Sequence, residues 1–211
     1  MFLKIGELKK AMKSALKTRG LTVGNYRGHY LVCTDWWGAW VDRMYATNKF
    51  KAAIMELVGE LPEEDECCLF TMVEKEVRTD TQASRRDPFE EWKQAKDYAY
   101  ITPLLLDLFP HEFAVFQRHS DKGYFMCLRD YTSRMISDSE LEAGMESMPN
   151  RPSVSPNGNC LFFKSETMIY WVCRTREQDK VRDTLFRSLG ELDFSRGDWQ
   201  RGRCDEEREE E

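Results

Sequence analysis

Residues 28–44, GHYLVCTDWWGAWVDRM, hold three tryptophans and a tyrosine and close on Asp42, Arg43 and Met44. β-Branched and aromatic side chains pack well on a pleated surface, whereas Asp and Gly accept turn geometry, so the stretch predicts a strand, a turn formed by Asp35, and a second strand over AWVDRM. Tyr30, Val32 and Trp40 fall at sheet positions. Trp36 and Trp37 at the tip carry two open readings, core filling or contact with a partner, since large amphipathic rings serve both.

Similar punctuation runs along the chain. LTVGNYRGHYLVCT predicts two strands with a turn near Asn25 to Gly28, and CCLFTMVEKEV another strand. Before them, Ile5, Leu8, Met12, Ala15 and Leu16 recur at three-to-four spacing, which gathers an apolar stripe on a helix ended by Gly20. NKFKAAIMELVGEL predicts a second helix capped by Asn48, closed by Pro62. Further on, FAVFQRHSDKGYFMCLRDYTSRM and CLFFKSETMIYWVCR each suggest two strands, SDSELEAGMESM a short helix, and REQDKVRDTLFRSLGEL a last amphipathic helix. The polar stretch RTDTQASRRDPFEEW marks a composition shift. The expected organisation is an N-terminal α+β half over 1–77, a polar linker over 78–97, a C-terminal α+β half over 98–196, and an acidic flexible tail over 197–211.

Charge is unevenly spread along these 211 residues, whose formal net charge is -6. Residues 1–20 hold Lys4, Lys9, Lys10, Lys13, Lys17 and Arg19 against the single acid Glu7, while the last fourteen residues hold seven acids and three arginines. An acidic chain with one basic helix has a localised electrostatic face. That face is either a solvated surface or one presented to phosphates.

Several chemistries lack their sequence signature. No apolar run approaches the roughly 18 residues needed to span a bilayer, and the charged start MFLKIGELKK lacks the apolar core of a signal peptide, so no membrane association and a cytoplasmic setting are expected. Seven cysteines, mostly inside apolar runs, fit buried reduced thiols, and neither they nor His29, His111 and His119 show zinc-ligand spacing. No metal or other cofactor is expected. Gly-rich phosphate loops, a nucleophile elbow and a kinase signature are missing too, and the chain is expected not to be an enzyme. A magnesium-dependent nuclease stays formally open if the fold gathers Asp35, Asp42, Asp65, Glu66 and Asp130.

A shift of 95 places Gly28, Tyr30, Leu31, Asp35 and Trp36 over Gly123, Phe125, Met126, Asp130 and Tyr131, and sets the first helix near YITPLLLD. A helix beside antiparallel strands, then CTDWWGAWVDRM, then a helix, resembles a repeat of the replicative DNA sliding clamps. TPLLLDL, AVFQ, GYFMCLRDY, PSVSPNG and MIYWVCR are similar in spacing to proteins of bacteria and their mobile elements. The resemblance spans residues 1–190 through short motifs. It departs from the clamp pattern where Trp36 and Trp37 follow Asp35, and where there is room for at most two domains. It implies an α+β fold of antiparallel β-sheets with helices packed on one face, in two similar halves. It also implies sequence-independent phosphate contacts from Lys9, Lys10, Lys13, Lys17 and Arg19, with Lys180, Arg182 and Arg187 as weaker candidates. Duplex DNA and replication or repair proteins would be its partners, and a homo-oligomer is compatible. The alternative is a protein-interaction or oligomerisation module using Trp36 and Trp37.

Overall fold

A computed structural model of the chain describes residues 1–73, 75–137, 151–175 and 180–196. In chain order the elements are α1 (Ile5–Thr18), β1 (Leu21–Tyr26), β2 (His29–Cys33), β3 (Trp37–Asp42), α2 (Asn48–Val58), β4 (Glu66–Val73), β5 (Glu76–Asp80), α3 (Pro88–Lys93), β6 (Asp97–Leu108), β7 (His111–Arg118), β8 (Tyr124–Leu128), β9 (Ser153–Val154), β10 (Cys160–Lys164), β11 (Met168–Cys173) and α4 (Lys180–Ser188). The helix expected over SDSELEAGMESM and the acidic tail lie outside the described residues.

Among the described residues, all the strands join one antiparallel sheet of eleven, in the order β5-β4-β1-β2-β3-β11-β10-β9-β6-β7-β8. It therefore runs without interruption through residues of both 1–77 and 98–196. Its central strands are buried on both faces, which is why LVC, AWV, LFF and IYWV read as continuous apolar runs instead of alternating. On one face Tyr30, Val32, Trp37, Ala39, Val41, Phe163, Tyr170 and Val172 meet the apolar sides of α1 and α2. On the other face lie Tyr26, Leu31, Cys33, Trp40, Cys67, Cys160, Phe162, Ile169 and Trp171.

That second face is roofed by residues from the stretch expected as a polar linker. Ala83, Trp92 and Ala95 pack on it. The Tyr26 hydroxyl donates to the Arg86 carbonyl, Arg27 pairs with Asp87, and the Arg86 guanidinium sits 4.6 Å from the Trp171 ring centroid. Asp87 caps α3 by accepting from the Glu90 amide at 3.1 Å, and Pro88 fills the first turn, where a missing N–H costs nothing. The polar side chains that mark this stretch in the sequence act as its tethers.

Turns match the expected positions better than the expected chemistry. Arg27 and Gly28, at φ 52° and 74°, form the two-residue link between β1 and β2, the positive-φ geometry a tight hairpin needs. Between β2 and β3 the organising residue is Thr34, not Asp35: its hydroxyl accepts from the Trp36 and Trp37 amides at 3.1 and 3.3 Å. Likewise Thr47, one residue before Asn48, caps α2 by accepting from the Phe50 amide at 3.2 Å.

The 95-residue shift lays α1 over residues 100–113, which belong to β6, the turn after it and the start of β7. A different correspondence exists in the sheet. Leu31 pairs with Trp40 across β2–β3, and Phe162 with Trp171 across β10–β11, so both partners are displaced by 131 positions and the registers coincide. The Thr34 amide donates to the Trp37 carbonyl at 2.8 Å, and 131 positions on the Ser165 amide donates to Met168 at 2.9 Å. The two hairpins meet edge to edge, with Ala39 opposite Tyr170.

Candidate nucleic-acid interface

Leu8, Met12 and Leu16 are fully buried, each contributing about 1.5–3 kcal/mol of apolar burial. The stripe anticipated from spacing thus anchors α1, and Ile5 packs at its edge. Gly20 ends the helix at φ 97°, its amide donating to the Ala15 carbonyl at 2.9 Å. A Cβ there would lie 2.9 Å from Leu69 and Thr71, so glycine also lets the helix end abut β4.

Anchoring by the stripe leaves the charged side outward. Lys10, Lys13, Lys17 and Arg19 are exposed, while Lys9 is half-buried. Lys9 turns toward α2 and pairs with Glu56, and Lys10 pairs with Glu7 at 2.7 Å. Exposed pairs of this kind contribute only about 0–1 kcal/mol, and a phosphate can replace the carboxylate. Arg19 lies 5.5 Å from the Trp36 ring centroid, in a cation–π contact. Beside α1, α2 adds exposed Lys49 and half-buried Lys51, the latter 5.9 Å from the Tyr30 ring centroid. Together the two helices hold six lysines against two glutamates, net +4, on a chain of net -6.

The other candidates are dispersed. Trp37 is 1% exposed, within the helix-side core rather than at a hairpin tip. Trp36 is half-buried, and its carbonyl accepts from the Cys173 amide at 2.7 Å. Arg187 is exposed on α4, far along the sequence from α1; the side chains of Lys180 and Arg182 lie outside the described residues. Of the five carboxylates, three make local contacts. Asp42 accepts from the Met44 amide at 2.8 Å, Glu66 from the Glu63 amide at 2.9 Å, and Asp130 pairs with Arg134 at 2.7 Å. Asp35 is exposed beside the β2–β3 turn, and the Asp65 amide donates to Asn25 at 2.7 Å. Among the described residues, no three Cys, His, Asp or Glu side chains converge as metal ligands, and no helix is long and apolar enough to cross a membrane.

Sequence reasoning missed one cluster, on the second face of the sheet. Cys160 and Cys173 stand opposite each other beside Arg86, which pairs with Glu91 through Nε and Nη2. A hydrogen bond from Cys173, and then the nearby guanidinium, pull the Cys160 thiol down to about 7 against the effect of burial, while Cys173 is held well above the ordinary thiol range. Elsewhere burial pushes Cys33 up to about 12. No spacing rule shows such a pair, because only strand register brings residues 160 and 173 together.

The fold is α+β with a weak structural resemblance to the bacterial β sliding clamps over most of the chain. Among solved structures it is similar to the β subunit of DNA polymerase from Streptococcus pyogenes, with 10% identity, a TM-score of 0.30, and coverage of 84% of this chain and 64% of that one. It is also similar to the H. pylori β clamp in complex with 5-chloroisatin (8% identity, TM-score 0.28, 84% and 64% covered). A third is the DnaN sliding clamp from Bartonella birtlesii bound to griselimycin (6% identity, TM-score 0.22, 86% and 66% covered). The chain spans less than two thirds of the length of each of these clamps. No protein-family model matches it, and no curated protein matches it.

Proposed function

We propose that this chain is a non-enzymatic DNA-associated protein that lays α1 along the phosphate backbone of duplex DNA, with Lys10, Lys13, Lys17 and Arg19 as the principal contacts and Lys9 as a secondary one. The observation that carries this reading is the net +4 of the two-helix layer on a chain of net -6. Lysine ammonium groups supply charge without base selectivity, so the association is sequence-independent and salt-sensitive. Lys9 contributes less because it is half-buried and turned toward Glu56 of α2, whereas Lys10 stays exposed beside Glu7. A clamp-like role among replication or repair proteins is the setting in which such a surface would act. Fluorescence anisotropy with a labelled duplex tests the reading: binding at low salt that falls when Lys13 and Lys17 become Glu supports it, and equal binding by that variant removes it.

A second reading, an interaction or oligomerisation module, is favoured at a different hairpin from the one holding Trp36. Phe109, between β6 and β7, is 97% exposed, and Leu105 on the same hairpin is 51% exposed. Apolar groups this open at a hairpin end are candidates for contact with a second copy. Sedimentation of the Phe109→Ser variant reads that contact separately from DNA binding.

A further inference from the structure

Cys160 on β10 and Cys173 on β11 are direct cross-strand partners. No backbone hydrogen bond joins them. The Cys160 carbonyl accepts from the Ser155 amide at 2.9 Å and its amide donates to Ser155 Oγ at 2.9 Å, whereas the Cys173 amide donates to Trp36 at 2.7 Å on the opposite side. A non-hydrogen-bonded antiparallel pair brings its Cα atoms to about 4.5 Å, within the roughly 4.4–6.8 Å span that a disulfide bridges. Both side chains lie on the second face of the sheet, Cys160 within its core and Cys173 packed against it.

The surroundings give the two sulfurs different parts. Arg86, from the segment that roofs this face, places a guanidinium close to both thiols and is itself fixed by Glu91 and by the Trp171 ring. Beside that guanidinium the Cys160 thiol is drawn down and the Cys173 thiol pushed up, so that Cys160 is the nucleophile and Cys173 keeps its proton. Other thiols are less suited. Cys67 and Cys68, adjacent on β4, face opposite cores, and Cys33 and Cys127 are buried and protonated.

We propose that Cys160 and Cys173 form an oxidation site for small hydroperoxides, with Cys160 as attacking thiolate and Cys173 as resolving thiol. The Cys160 sulfur attacks the distal peroxide oxygen, an S–O bond forms, the O–O bond breaks, and the alkoxide leaves as an alcohol after taking a proton from solvent. Cys173 sulfur then attacks the sulfenic sulfur. The S–S bond forms, the S–O bond breaks, and the leaving hydroxide takes the Cys173 proton as water. Two thiols and one hydroperoxide yield one disulfide, one alcohol and one water. With hydrogen peroxide itself the alcohol is a second water. Cys160 is 9% exposed and Cys173 more so, which restricts the reaction to a small oxidant.

The test uses the full chain carrying Cys204→Ser, so that residue 204 offers no competing thiol, treated with hydrogen peroxide at pH 7. Intact mass should show the loss of two hydrogens, and peptide mapping should join residues 160 and 173. In the Cys173→Ser variant the reaction should stop at a sulfenic acid on Cys160 that a cyclic 1,3-dione traps. Arg86→Gln should slow oxidation by roughly tenfold through loss of thiolate, and Arg86→Lys should restore most of the rate. A disulfide mapped to any other pair, Cys160 reacting no faster than Cys33 in the folded chain, or an unchanged rate in Arg86→Gln would overturn the proposal.

Discussion

Gly38 on β3 lies directly across from Trp171 on β11, and the Trp171 indole fills the space a side chain at residue 38 would need, with a Cβ there meeting ring carbons at 2.1 and 2.4 Å. Gly38 sits inside a strand and not in the turn its sequence context suggests. Gly38→Ala should therefore destabilise the chain by at least the roughly 1–3 kcal/mol of an overpacked core. In Gly38→Ala/Trp171→Leu the ring is gone, and the double variant should lose less stability than the two single losses combined, as urea midpoints will show. Strict additivity would contradict this steric relationship.

Trp37 and Trp36 are adjacent but differ in burial, and their variants should separate. Trp37→Ala removes a fully buried ring and should cost about 3–5 kcal/mol in denaturant unfolding. Trp36→Ala, at a half-buried ring in contact with Arg19, should cost distinctly less. Equal losses would mean that Trp37 is not in the core.

Gln117 is a buried polar residue on β7 that reaches residues 192–194: its amide nitrogen donates to the Leu192 carbonyl at 2.7 Å, and its amide oxygen accepts from the Phe194 amide at 2.9 Å. Gln117→Met leaves both backbone groups without these partners, at about 1–3 kcal/mol. Hydrogen exchange at Phe194 should accelerate in this variant while exchange in α1 is unaltered; unaltered exchange at Phe194 would count against the tether.

The Cys160 thiol titrates below its ordinary value, so alkylation of Cys160 in the folded chain should rise with pH through a midpoint near 7. The sign for stability follows. A thiol whose folded pKa is depressed contributes fully above its unfolded value, near 9, and that contribution fades as pH falls through about 7. Cys173 is shifted the other way and keeps its proton over this window. A midpoint near 9 for Cys160 would contradict the arrangement around Arg86.

Helix α1 was legible because one apolar stripe at helical spacing buries one face, which needs no knowledge of what it packs against. Its partner was not legible: Glu56 is 47 residues from Lys9 and belongs to another helix. Turn positions were legible from Gly and polar residues, but not whether Thr34 or Asp35 would supply the acceptor, since both residue types fit. The stretch 78–97 looked detached because its arginines and carboxylates are polar, yet those groups pair with one another and with the sheet. TDWWGAWVDR and SETMIYWVCR share a Trp-Val-x-Arg ending, but chemically unlike residues between its ends hid a correspondence that strand register reveals.

The central claim is electrostatic, and the slope of log affinity against log salt for a random-sequence duplex tests it most directly. Each phosphate neutralised contributes about -0.9 to that slope, so the four principal cations Lys10, Lys13, Lys17 and Arg19 predict roughly -3 to -4, and Lys13→Glu/Lys17→Glu should make it shallower by about 2 with the thermal midpoint unchanged. No detectable binding to duplex DNA at low salt, or a slope that the two substitutions leave unaltered, would contradict the account.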